Sequence, residues 1–545
     1  MVRVILTKQN KPMKKQYFFL AVLASLTAVA QAGFFQLTSY RGAFAPAPTA
    51  MWTDGWANWD PQNTVYGTPT QTISANITSN TTWTASQVYL ISGPIYVTNN
   101  AVLTIEPGTV IRGNKAVAGS ALIVSKGSQL MANGTSSSPI VFTSSENAGS
   151  RGLGDWGGII LLGKATTNLT GGIGNIEGLP VSANTEYGGG AASDDNDNSG
   201  SLSYIRIEFG GYAYNIDKEI NGLTMGSVGQ GTTIDFVQVS FTNDDAFEWF
   251  GGTVKCKHLV SYRNLDDDFD CDFGFRGNVQ YGLIVRDPAI ADQSSGSTSE
   301  GFECDNDGQG SNNSPKTAAV FSNITAIGPL RGDVGATIDP KFQRALRLRR
   351  NSEMKIHNSI FMDFKKGLHI DGTACEGNAT NGLLSFQNNI LAGYTARNGF
   401  VQSATFNTKA WFAQNANDSL LSSASLLTTP YNYTAPDYRP AVNSIAELGA
   451  SFPAIPFSGN ISYVGLGENN LNSLTVSPNP ASTVLRVDTK RTDVAALLIT
   501  NAMGERMAVV TEGFIDVAQW SNGIYFVTAL FTNGDSLTQR FSIAK

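Results

Sequence analysis

Cysteine, histidine and charge are all scarce in this chain. Only four cysteines (Cys256, Cys271, Cys304, Cys375) and three histidines (His258, His357, His369) occur in 545 residues, and no Cys-x-x-Cys is present. The spacing of a zinc site is therefore missing. Charged residues make up 15% of the chain, with 44 acids against 37 basic residues. A basic surface for phosphates is lacking, which excludes nucleic acid as a partner. Long apolar runs are also few. The one that stands out, "YFFLAVLASLTAVA", follows Lys14 and Lys15 and ends at Ala30-Gln31-Ala32. This reads as an export signal over residues 1–32, with Gly33 the expected first residue of the mature protein. Its removal takes away five basic residues and no acid, moving the formal charge from −7 to −12. No later run approaches spanning length, so no transmembrane segment is expected in the mature chain.

What the chain has instead is glycine, 56 residues of it, and many short β-prone runs. "PIYVTNNAVLTIEPGTVIRG", "WGGIILLG" and "LSYIRIEFGG" are each too short to bury themselves and need neighbours stacked on both sides, the logic of a solenoid. The register comes from "DDAFEWFGG", "DDDFDCDFGF" and "EGFECDNDG". Phe247 and Phe269 are 22 residues apart; Phe302 follows after a Ser/Gly-rich insertion, and Leu346 and Leu368 continue the series. One coil is about 22 residues. A second strand carries Asn323, Asn358 and Asn388 at one recurring place, which suggests a bend with an internal amide ladder. Trp52, Trp56 and Trp59 precede the repeats and are expected to form an aromatic lid over an open β-end.

The chain resembles the right-handed parallel β-helix proteins, the architecture of pectate lyases, through "AVLTIEPGTVIRG", "GTSSSPIVFTS" and "DDAFEWFGGTVKCKHLV". The resemblance implies an all-β solenoid over residues 70–400, after an N-terminal segment and cap at 33–69. A C-terminal cap and linker are expected at 401–471, where the rhythm stops. Residues 472–545 then read as a small β-sandwich of alternating strands. That unit is similar to the type A C-terminal sorting domain of type IX secretion, through Pro478-Asn479-Pro480, Met503-Gly504-Glu505, Asn522-Gly523-Ile524-Tyr525 and the terminal Lys545. The similarity implies Sec export, the type IX machinery as partner, and a secreted or outer-membrane surface location.

Alternate residues of a strand share a face. With the Phe247 series pointing inward, Glu248, Asp270, Glu303, Arg347 and His369 form one outward column. Phe250, Asp272, Asp305, Arg349 and Asp371 form the next. Between them Trp249, Cys271, Cys304, Leu348 and Ile370 point inward, placing Cys271 and Cys304 at a spacing that suits a disulfide and equally suits two buried thiols. The alternating acids of Glu303-x-Asp305-x-Asp307-Gly308, with Asp270 and Asp272 beside them, form an expected Ca2+ site. Arg347 and Arg349 are the alternative means of neutralising it. The function these features favour is binding, adhesin-like or directed at an extracellular glycan. The alternative implied by the resemblance is a calcium-dependent polysaccharide lyase using Arg347 or Arg349 as base.

Overall fold

The structure, a computed structural model, describes residues 33–215, 218–294, 296–395, 398–457, 461–462, 474–489, 494–502, 506–510, 513–531 and 536–545. The expected signal at 1–32 lies outside the described residues, as do Met503, Gly504 and Glu505.

Two parallel sheets wind the chain into a β-helix. One has ten short strands, among them Leu223–Gly226, Phe247–Phe250, Phe269–Asp272, Phe302–Cys304, Arg344–Leu348 and Lys366–Ile370, stacked in that order. The other has seventeen, including the eight-residue strands Thr233–Ser240, Lys255–Tyr262, Asn278–Val285 and Val320–Ile327. Phe247 pairs with Phe269 and Phe269 with Phe302, so the 22-residue coil is the physical repeat. Phe247, Phe269, Phe302, Leu346 and Leu368 are all fully buried in one continuous core with Trp249. Their rings meet edge to face, Phe269 and Phe302 with centroids 5.1 Å apart. Each such side chain contributes about 1.5–3 kcal/mol by leaving water, but only because a coil lies above and below it.

The recurring asparagine is a bend, as expected, and the ladder is shifted by one residue. Asn323, Asn358 and Asn388 have φ of 57°, 56° and 56°. Asparagine tolerates this left-handed region better than most residues. The side chains of Asn323 and Asn358 turn outward: the Asn323 amide donates to Thr38 Oγ1 at 3.0 Å and to the Gly42 carbonyl at 3.3 Å, and the Asn358 amide to the Ser451 carbonyl at 3.0 Å. The internal ladder is made by the residues that follow the bend. Asn389 Oδ1 accepts from the Ser359 N–H, and Asn417 Oδ1 accepts from the Asn389 N–H. In earlier coils the same bend is occupied by Tyr204, Phe236, His258 and Tyr281, all at positive φ. Their rings stack at 4.3, 4.2 and 5.0 Å.

The tryptophans cover the side of the solenoid and not its end. Residues 38–67 run along the outside of the seventeen-stranded sheet, from Arg41, which pairs with Asp418, past Asn358 and Gln238, to Gly67, whose carbonyl takes a bond from Arg112. Trp56 is 2% exposed, and Trp52 packs on Phe236 and His258. The long strands carry a second apolar face, Val260, Tyr262, Leu283, Val285 and Ile327, which this strap and residues 426–446 bury.

His357 is fully buried, with Nε2 2.9 Å from Ser385 Oγ and its ring edge-on to Phe457. Burial and the neighbouring Lys355 push its pKa down from 6.5 to about 3. The unfolded chain therefore binds this proton first. Stability from His357 is complete above pH 6.5 and is lost as pH falls toward 3. At pH 5 the loss is about 2 kcal/mol. Melting curves of wild type and His357→Gln should converge between pH 7 and 5; parallel curves would exclude the effect.

Beyond the solenoid, Leu474–Ser477, Val484–Thr489 and Phe514–Asp516 form one antiparallel sheet, and Arg506–Val510, Val494–Asn501, Gly523–Phe531 and Ser536–Ile543 form another. Leu485, Ile499, Val527 and Phe541 share their core.

Candidate functional site

The outer face of the ten-stranded sheet carries the charge. Glu248, Asp270, Glu303, Arg347 and His369 are register partners in one outward column. Asp272, Asp305, Arg349 and Asp371 continue along the next, since the Asp305 N–H binds the Cys271 carbonyl and the Arg349 N–H binds that of Cys304. The strip divides into a basic half and an acidic half.

In the basic half the arginines are tied to the acids that they were the alternative means of neutralising. Arg349 pairs with Asp305 at 2.7 Å and with Glu303, Arg350 pairs with Asp305 at 2.7 Å, and Arg347 joins Asp371 at 2.8 Å to Glu303 at 3.3 Å. Burial alone would depress Arg349, but the hydrogen bond to Asp305 and the charge of Glu303 push it up. A base must lose its proton, and this guanidinium is held protonated from two sides. Burial pushes the His369 ring down to about 4, although Asp371 pulls the other way. Asp307 is spent locally: it accepts from the N–H groups of Gln309 and Ser311 and from the Ser311 hydroxyl. Beside these pairs opens a cleft of about 350 Å³, lined by Gln309, Arg347, Arg349, Arg350, Asn351 and Asp371.

In the acidic half, among the described residues, only Glu300 has such relief, from Arg344. Asp245, Asp267 and Glu300 sit two residues before the inward column, and each carboxylate accepts the N–H of the next coil: Asp245 from Asp267 at 2.8 Å, Asp267 from Glu300 at 2.5 Å and Glu300 from Arg344 at 2.5 Å. Asp244 and Asp266 precede them. Among the described residues no Lys or Arg forms an ion pair with Asp244, Asp245, Glu248, Asp266, Asp267 or Asp270. Burial and then mutual repulsion raise Asp244, Asp245, Glu248, Asp267 and Asp270 well above the carboxylate range; Asp266 rises to about 7, chiefly by burial. Two carboxylates about 5 Å apart repel by about 3 kcal/mol at an effective dielectric of 20.

Of the five acids expected to bind calcium, Glu303 and Asp305 are ion-paired, Asp307 is a loop cap, and Asp272 accepts from the Phe273 N–H. Asp270 alone joins a carboxylate group of metal-binding geometry, with Asp245 and Glu248. The doublets Asp244-Asp245 and Asp266-Asp267 were in plain view in the repeat. Their register, two and three residues before each phenylalanine, was the signal that would have found them. Beyond them a second cleft of about 440 Å³ is lined by Leu169, Ile173, Glu177, Tyr187, Phe250 and Phe273.

Cys271 and Cys304 are register partners on adjacent coils and fully buried, and in this structure all four cysteines are free thiols. In the sorting unit Asn479 Oδ1 accepts from the Ser542 N–H at 2.9 Å, and Lys545 Nζ donates to the Trp520 carbonyl at 2.6 Å. The Tyr525 hydroxyl donates to the Ser521 carbonyl, Gly523 opens a strand, and Ser477-Pro478 and Asn479-Pro480 are cis.

Among solved structures the chain is similar to full-length tailspike protein 2 from the Escherichia coli O157:H7 bacteriophage CAB120, with 12% identity, 83% of this chain and 64% of that chain covered, and a TM-score of 0.22. It is also similar to the Dettilon tailspike protein, with 10% identity, 83% and 75% coverage, and a TM-score of 0.19. The chain thus spans less than two thirds of the first of these. A comparison with curated proteins gives no match. The secretion system C-terminal sorting domain matches residues 475–544, which makes this a type IX cargo, secreted or attached at the cell surface. No helix among the described residues is long and apolar enough to cross a membrane. The pectate-lyase like beta helix domain matches residues 75–425, well over half the length, and the chain belongs to that family.

Proposed function

We propose that this secreted β-helix protein binds an acidic extracellular polysaccharide in the cleft between Gln309 and Asp371. The observation that carries this reading is the convergence of Arg347, Arg349 and Arg350 on one open concavity, with the Arg350 side chain 43% exposed. A guanidinium has five N–H donors in a planar fork, and Arg350, with Asp305 as its carboxylate partner, keeps several of them for a uronate or sulfate group. Asn351 and Gln309 supply amide donors and acceptors for hydroxyls beside it. A solenoid repeats its face along an axis, which suits a polymer that repeats too. Because Arg349 is held protonated by Asp305 and Glu303, and Arg347 is tied to Glu303 and Asp371, the site favours holding a uronate over abstracting its α-proton.

The mature protein should therefore retain uronate-containing polysaccharides on an affinity gel and pass neutral ones. Arg350→Ala removes charge-assisted hydrogen bonds of about 1.5–3 kcal/mol, a loss of about tenfold or more in affinity, while its exposed position leaves melting nearly unchanged. Equal retention of neutral and acidic glycans by wild type would overturn the assignment. Unsaturated oligosaccharides released from a uronate polymer would replace binding by a lyase reaction at the same cleft.

A further inference from the structure

The oxygens of Asp245, Glu248 and Asp270 lie within 4.8 Å of one another, and so do those of Asp244, Asp245 and Asp266. Oxygens this close can ligate one divalent cation, whose bonds to oxygen are about 2.0–2.6 Å long. Grouped acids alone are common on protein surfaces. The second observation is Asn221, on the neighbouring coil and 1% exposed. Its Nδ2 donates to Glu248 and, at 3.3 Å, approaches Thr224 Oγ1, while Oδ1, on the same carbon, is buried with no hydrogen-bond partner. Buried amide oxygens are almost always satisfied, and turning this amide about its Cβ–Cγ bond brings Oδ1 in place of Nδ2 against Glu248, an arrangement of oxygens that a cation between them stabilises.

We propose that Asn221, Asp245, Glu248 and Asp270 form a calcium site spanning three successive coils. Their strands, Leu223–Gly226, Phe247–Phe250 and Phe269–Asp272, are hydrogen-bonded neighbours. Three carboxylates and an amide carbonyl make an all-oxygen set with no imidazole or thiolate, which favours a hard cation over zinc or copper. Asp244 and Asp266 share Asp245 with the set and add negative charge at its edge. The ion is the coil-to-coil tie of the acidic half, where the basic half uses arginine. Glu303, Asp305 and Asp307 take no part.

The test uses residues 33–545, stripped with EDTA and titrated with CaCl2 by calorimetry, with Tb3+ luminescence excited through Trp249, the residue after Glu248. Calcium at a hundredfold excess over Kd should raise the melting temperature by about 5 °C, and magnesium at the same concentration by less than half as much. E248Q/D270N should lose both binding and the shift. It should also melt no lower than stripped wild type, since the amides keep the shape and remove the repulsion. D307N should bind calcium like wild type. Should the double variant fail to fold, D270N alone carries the test through a Tb3+ affinity at least tenfold weaker. Wild type whose melting and luminescence ignore calcium would overturn the proposal, as would calcium binding retained by E248Q/D270N or by D270N at full affinity.

Discussion

Without residues 472–545 the β-helix should fold normally and remain in the periplasm. The sorting unit has two antiparallel sheets and a core of its own, Leu485, Ile499, Val527 and Phe541 among it, separate from the solenoid cores. A unit with its own core folds without its neighbour's help, so its removal takes away the address and leaves the cargo's coils intact. Fractionation with an antibody to the β-helix should move essentially all of the truncated protein from medium and cell surface to periplasm, with the circular dichroism of the purified fragment still that of β-structure. The same residues appended to a periplasmic reporter should carry it outward. Truncated protein reaching the medium at the normal level would remove the assignment of this unit as the export signal.

How much of this was legible in the sequence depended on whether a feature repeats. The Phe247 series is written once per coil, so strand, spacing and inward face followed directly, and the columns Glu248 to His369 and Asp272 to Asp371 followed with them. The bend at Asn323, Asn358 and Asn388 was legible for the same reason, but the ladder was not, since nothing in the composition says whether the bend residue or its neighbour turns inward. Ser359, Asn389 and Asn417 do so because the left-handed residue itself faces the strap. The strap was illegible. Its contacts join residues 180 or more apart, Asn58 to Gln238 and Gly42 to Asn358, and it has no period to betray which face it covers. The calcium expectation shows a further limit. Alternation in Glu303-x-Asp305-x-Asp307 gives the direction of each side chain, whereas the partners of Glu303 and Asp305 are set by the next coil, where Arg347, Arg349 and Arg350 stand, and Asp307 turns to its own loop.

Arg286→Met should destabilise the middle coils by about 3–5 kcal/mol, the cost of leaving one member of a buried ion pair alone. Arg286 and Asp268 are both fully buried, with Nε 2.7 Å from Oδ2. The same guanidinium donates to the carbonyls of Asn264, at 3.2 Å, and Glu300, on the turn that precedes each short strand. Asp268 also accepts from the Ser261 hydroxyl. Burial raises Asp268 to about 6 even with the arginine present. Without it, the carboxyl would have to be protonated to stay inside, and the carbonyls of Asn264, Leu265 and Glu300 would lose this donor. Asp268→Asn should cost less than Arg286→Met, because the amide keeps an acceptor for Ser261 while Arg286 retains its carbonyls. The double variant Arg286→Met/Asp268→Leu should recover part of the loss, since an apolar pair buries no charge. Thermal melting ranks the three variants. Hydrogen exchange locates the opening at 259–262 and 283–285, the strands that carry Ser261 and lead into Arg286, with the N- and C-terminal coils still protected because solenoid coils depend on their nearest neighbours. An Arg286→Met protein that melts with wild type would mean that water reaches this pair, and that the turn at 264–268 is held by its backbone alone.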